Sequence, residues 1–312
     1  MAAFTTRTQD SALRRGSRRA ALGQWAMPTA VPLTGRTAIG TSPVLVASDG
    51  ADLWVAENGS SDVKRVRASD GRVLETWTGA TTALGVLITR GRIYVIGGTS
   101  PGKLYVIDPA TAPGPVTTLS SALGNEPTGI TTDGSFIWTA NFLGSVSRVD
   151  PDSGAPNNFS TGFTDPEGMV FDGTNVWVTD AGDSTIKKLD SNGVVMQSIA
   201  VGSFPQFPVF DGSNIWVPNR ASNSVSVIRA RDGQVLATLT GNGLSGPVQA
   251  AFDGQRILVT NVDGDSISGW KAADLTPLGS ALTGMGTQPV GACSDGINFW
   301  IALSGTNQLA RL

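Results

Sequence analysis

Six oxygen-bearing side chains recur in short turn phrases, each close to a proline. They are Glu126 in GNEPTG, Asp165 and Glu167 in TDPEGM, Gln206 in SFPQFP, Gln249 in LSGPVQA and Gln288 in GTQPVG. Carboxylate and amide oxygens are the donors that hold a hard cation or orient a polar ligand. A polar ring binding a ligand or cation is one reading of this set. A hydrated channel lined by turn residues is the other.

What the chain lacks narrows the chemistry further. It has no histidine, which removes the commonest general base, the serine–histidine dyad and most zinc chemistry. No glycine-rich phosphate loop and no zinc-ligand spacing occur. The single cysteine, Cys293 in VGACSDG, cannot form an intrachain disulfide and reads as a small buried hydrophobe. The net charge of -3 offers no general basic field for nucleic acid. Basic residues cluster only in an N-terminal arm, at Arg7, Arg14, Arg15, Arg18 and Arg19. No apolar run reaches the roughly 18 residues of a membrane-spanning helix. Glu57, Asn141, Asp180, Asn219 and Asn261, with the pairs Asp180/Asp183 and Asp263/Asp265, read as hairpin-turn residues. The VDGDS phrase resembles a calcium loop but lacks the later bidentate glutamate and the flanking helices.

The elements that must position these residues come from a repeat. A turn followed by an apolar pair and an aromatic appears as SDGADLWV, TDGSFIWT, FDGTNVWV, FDGSNIWV, FDGQRILV and SDGINFWI, with TRGRIYV as a degenerate copy. The turns begin at Asp49, Arg90, Asp133, Asp172, Asp211, Asp253 and Asp295, with separations of 41, 43, 39, 39, 42 and 42. A period near 40 residues is that of a four-stranded propeller blade. The aromatic position carries Trp54, Tyr94, Trp138, Trp177, Trp216, Leu258 and Trp300. Its place inside an apolar strand predicts blade-to-blade packing rather than a stacking platform for sugars or bases. An apolar pair three residues apart follows in every unit: Val63/Val66, Leu104/Ile107, Val146/Val149, Ile186/Leu189, Val225/Ile228, Ile267/Trp270 and Leu309/Leu312. This spacing is not strand alternation and suggests a local twist or bulge.

The unit at the C-terminus has room for three strands. The missing one is expected near the other end, where AVPLTG at 30–35 resembles ATLTG at 237–241. The chain therefore reads as an all-β, seven-bladed β-propeller over 28–312, with an N-terminal strand joining the C-terminal blade and leaving no open sheet edge. Residues 1–27 read as a disordered basic arm. Its twin arginines make a poor export signal, because the apolar stretch behind them is short and interrupted by Gln24 and Pro28.

Phrases such as FDGSNIWVPNRASNSVSVIRARDGQVLATLTG resemble YVTN-type repeats and are similar to NHL repeats and to the streptogramin-lyase-like group. That resemblance covers about 28–312 and implies a propeller that serves binding modules, bacterial surface proteins and a few enzymes. The lyase group implies a catalytic histidine with magnesium near the channel, and this chain has no histidine to match it. Gluconolactonase-like propellers imply a metal on carboxylate and amide groups within six blades, against seven units here. The expectation is a non-catalytic binding scaffold for a protein or small-molecule partner. It needs no cofactor, is monomeric, and by resemblance works at the cell envelope or outside the cell. The alternative is a metal-dependent lyase or hydrolase at the channel rim, using Glu126, Asp165 or Glu167.

Overall fold

The computed structural model describes residues 27–30 and 35–312. The basic arm lies almost wholly outside the described residues. Within them there is no α-helix, and so no helix long and apolar enough to cross a membrane.

In six of the seven repeats the turn carries an aspartate that does more than permit a bend. In the fourth blade Asp172 Oδ1 accepts the main-chain N–H of Thr174 and Asn175, at 2.8 and 2.6 Å. Its Oδ2 accepts the indole N–H of Trp177 at 2.7 Å. The same bond recurs from Trp138 to Asp133, Trp216 to Asp211 and Trp300 to Asp295. Glycine, at φ between 90° and 99° in these Asp-Gly turns, supplies the left-handed residue, while the aspartate stays outside that region. The turn is thus held by side-chain acceptance, not by two left-handed residues. Only the degenerate copy has both, at Arg90 and Gly91. A buried indole keeps its hydrogen bond in this way, which removes the cost of taking it into the core.

The turn joins the first and second of four antiparallel strands in each blade, as in Pro43–Ser48, Asp52–Glu57, Asp62–Arg67 and Val73–Thr78. Seven such sheets form. Their first strands touch one another in a closed circle, from Pro43–Ser48 through Ala83–Thr89, Pro127–Thr132, Pro166–Phe171, Val209–Phe210, Pro247–Phe252 and Pro289–Ser294, and back to the first.

The apolar pairs of the third strands find a simpler cause than a bulge. Side chains an odd number apart point to opposite faces of a strand, and in a ring both faces meet a neighbouring blade. Val63 packs with Trp54, Val86 and Val95 towards the next blade, whereas Val66 packs with Leu53, Trp300 and Leu309 towards the previous one. All seven pairs divide in this way between two clusters. Register shifts do occur where several third strands meet the outer strand, for example between Arg65 and Val66, but the spacing does not depend on them. Trp54, Trp138, Trp177, Trp216 and Trp300 are core residues with at most 1% exposure.

Ring closure is as expected in kind, with a shift in place. The seventh sheet is completed by Arg36–Ala38, which pairs antiparallel with Gln308–Arg311 in the register Arg36↔Ala310, Thr37↔Leu309 and Ala38↔Gln308. This strand lies just beyond the 30–35 segment, of which 31–34 fall outside the described residues. Ala30 instead bridges Leu282 in parallel on the outer edge of the sixth blade, and Met27 packs beside Gly269 there. The segment before the closing strand therefore straps two blades together.

Candidate functional site at the channel mouth

In five of the seven blades the first strand opens on a proline; the second has Ala83 there, and in the fifth Pro205 bridges Asn219 ahead of the short strand Val209–Phe210. Register around this residue decides where each candidate goes. Glu126, Asp165 and Gln288 sit one residue before it, Glu167 and Gln206 one residue after, and Gln249 two after. The six therefore do not form one ring. Glu126 and Gln288 are exposed and left-handed, at φ 56° and 45°. Their main-chain N–H groups are taken by Thr99 O and Asp265 Oδ1. Gln249 crosses to the next blade, where its Oε1 accepts the N–H of Ala292 at 2.8 Å, and so serves as a structural tie.

Glu167 and Gln206 are brought together. Both are buried, on the adjacent fourth and fifth blades. Thr128, at the same register in the third blade, completes the group and is the residue that a search for charge and amide passes over. Its hydroxyl donates to the main-chain oxygen of Glu167 at 2.9 Å. One blade on, the Thr179 hydroxyl donates to Gln206 O at 2.8 Å and accepts the N–H of Gly168 at 2.8 Å. Hydroxyl groups thus stitch the three first strands at the point where the side chains meet. The signal was present in sequence as the residue that directly follows proline in EPT, DPE and FPQ.

The close approach of these strands depends on Gly168. A Cβ there would lie 2.6 Å from Pro208 Cδ and 2.7 Å from Gln206 O. Pro208 has no N–H to give its own sheet. Phe207 instead donates to Val248 O of the sixth blade at 3.0 Å. Gly168→Ala should therefore cost about 1–3 kcal/mol by overpacking and push Gln206 away from Glu167. Denaturant unfolding, with the Gln206 amide shift as local reporter, checks both.

Burial is the largest influence on the Glu167 carboxyl and pushes it up to about 7, with Asp165 adding to the rise. The Gln206 and Thr128 side chains and the Arg220 charge pull the other way and do not offset it. An acid half-ionised at neutral pH both donates and accepts hydrogen bonds.

The residues ending the second strands are a different matter. Glu57, Asn141, Asp180, Asn219 and Asn261 are fully buried rather than turn-exposed. Asn219 Nδ2 donates to Ser224 and Ser226, and Asn261 Nδ2 to Ser266 and Ser268, at 2.9–3.2 Å. In the fourth blade the same place is an ion pair. Lys187 Nζ lies 2.5 Å from Asp180 and 2.7 Å from Asp183. The Asp180 oxygens also accept the N–H of Thr164 and Asp165 at 2.9 Å, which holds the loop leading to Glu167. Asp263 pairs with Arg220 at 3.2 Å, and Asp265 caps Gly286 and Gln288. The VDGDS acids are thus spent on neighbouring loops. Cys293 is partly rather than fully buried, beside the cluster of Val46 and Trp300, and desolvation raises its thiol far from ionisation.

Among the described residues, no group of three or more His, Cys, Asp or Glu side chains is placed to hold a metal ion. A cleft of about 620 Å³ lies away from Glu167. It lies on the opposite face of the ring, between the fourth and fifth blades.

No protein-family model matches the chain, and no curated protein matches it by sequence. Solved structures do match in fold. A streptogramin B lyase superposes with a TM-score of 0.74 at 16% identity, over 87% of this chain and 93% of that one. Virginiamycin B lyase from Staphylococcus aureus gives 0.74 at 15%, over 88% and 97%. Kuenenia stuttgartiensis hydrazine synthase gives 0.73 at 18%, over 87% and 95%. At these identities the likeness is one of fold.

Proposed function

We propose that the protein is a non-catalytic binding propeller whose channel mouth, around Glu167, takes a polar ligand or partner group that both donates and accepts hydrogen bonds. The observation that carries this reading is the convergence of Thr128, Glu167 and Gln206 from three successive blades. A hydroxyl, an acid half-ionised near neutrality and an amide form a recognition set. The Thr128 hydroxyl donates to the main-chain oxygen of Glu167, which suits it to holding strands together rather than to serving as a nucleophile. A thermal-shift screen of the intact protein against neutral sugars, amides and short peptides tests it. A shift should appear in one class and vanish in Glu167→Ala and Gln206→Ala. Turnover of a bound compound, abolished by Glu167→Gln, would overturn the non-catalytic reading.

The second reading is a lyase or hydrolase at the same rim. It is favoured by one observation, that an acid near 7 suits general acid–base work. Among the described residues no group of three or more His, Cys, Asp or Glu side chains is placed to hold a metal, so no step is assigned to one. Melting chelated protein with and without magnesium or calcium tests the metal directly, since a bound ion stabilises the folded state by mass action.

The raised carboxyl carries its own stability signature. Between about 4.5 and about 7 the unfolded chain releases a proton that folded Glu167 keeps, so this group's contribution is present at low pH and lost as pH rises. The loss is on the order of 3 kcal/mol across that window. Glu167→Gln should flatten the pH dependence and, above pH 7, melt higher than the unaltered protein.

A further inference from the structure

On the face opposite the channel mouth, the residue before each Asp-Gly turn divides the blades. Ser48, Thr132 and Ser294 accept the N–H of Gly50, Gly134 and Gly296 at 3.0 Å. The fourth, fifth and sixth blades have Phe171, Phe210 and Phe252 there, which carry no oxygen to accept that bond. Each phenyl ring instead walls a cleft between blades. The clefts of Phe171 and Phe252 are lined without any basic residue. The cleft of Phe210 is the largest, about 620 Å³, and has Lys188, Arg229 and Arg231 in its wall. Its acid, Asp172, has both oxygens committed to the turn and to Trp177. Asp232 pairs with Arg229 at 2.8 Å and lies 3.5 Å from Arg231, whose side chain is 75% exposed. Positive charge therefore prevails here in a chain of net charge -3.

We propose that this cleft is a second binding site, for a small aromatic anion, with the ring against Phe210 and the carboxylate or phosphate towards Arg231 and Lys188. The volume falls within the usual range for small-molecule sites. Guanidinium groups suit planar anions, and an apolar wall selects the part of the ligand that a free anion lacks.

Isothermal titration of the intact protein with phenylphosphate, at low salt, is the test. Sub-millimolar binding is expected, at least tenfold tighter than for inorganic phosphate or for phenol, each run as a separate probe. Arg231→Ala should weaken it at least tenfold, as should Phe210→Ser, which installs the residue type of the first and seventh blades. Arg231 is exposed, so its variant stays informative even if Phe210→Ser folds poorly. Absence of phenylphosphate binding, or equal affinity in the Arg231→Ala protein, would overturn the proposal. So would inorganic phosphate binding as tightly as phenylphosphate, which would make the site a simple anion patch.

Discussion

A chain begun at Gly40 should unfold about 10 °C below one begun at Met27, and with a broader transition. The closing strand Arg36–Ala38 makes three register pairs with Gln308–Arg311, and Ile39 donates to Asn307 O just beyond. Hydrogen bonds of this kind are worth about 1 kcal/mol each. Arg36 also donates to Thr283 O, and Thr37 to Gly71 O, so the strand ties the seventh blade to the sixth and the first. Its loss moves the sheet edge to Gln308–Arg311 and removes these ties to the neighbouring blades. With shifts of roughly 2 °C per kcal/mol in domains of this size, the total comes to that order. Equal melting temperatures for the two chains in calorimetry would mean that the ring does not need its closing strand.

Lys187→Ala should cost about 3–5 kcal/mol, the usual result of leaving a buried charge without its partner. Lys187 and Asp180 are 3% and 0% exposed, so solvent screens little of the effect. The fifth and sixth blades show how to remove the pair safely. There an asparagine bonds a serine seven residues on, as Asn219 bonds Ser226 and Asn261 bonds Ser268. The double change Asp180→Asn with Lys187→Ser writes that solution into the fourth blade. It should recover most of the stability lost in the single variant. Urea unfolding of the two variants decides. A double variant as unstable as Lys187→Ala would show that the blades are not interchangeable at this layer.

These two results bear on how much could be read from residues alone. Blade number, strand order and the existence of a closing strand were legible, because Asp-Gly turns, buried tryptophans and apolar pairs recur at blade spacing. The exact side-chain meetings were not. Glu126 and Thr128 lie two residues apart, on either side of Pro127, yet one is exposed on the rim and the other helps to build the site. Both flank a proline, and only the three-dimensional register tells them apart. Gln249 matched Gln206 in type and phrase but sits one position later, where its amide serves the next blade. Asp180 reads as a turn acid in the sequence because its partner, Lys187, is on the following strand. The spaced pairs suggest a twist or bulge only when a strand is judged against one buried face, and the register shifts beside them do not set the spacing. A blade has two such faces.

Glutamate-selective ¹³C labelling gives four carboxyl signals, from Glu57, Glu75, Glu126 and Glu167, and a pH titration of these signals addresses the channel site directly. The account requires Glu167 to titrate near 7, and the Gln206 side-chain amide to shift with the same midpoint. Were Glu167 to titrate in the ordinary carboxylate range, with the Gln206 amide unmoved, the half-ionised acid beside Gln206 on which the proposed site rests would be contradicted.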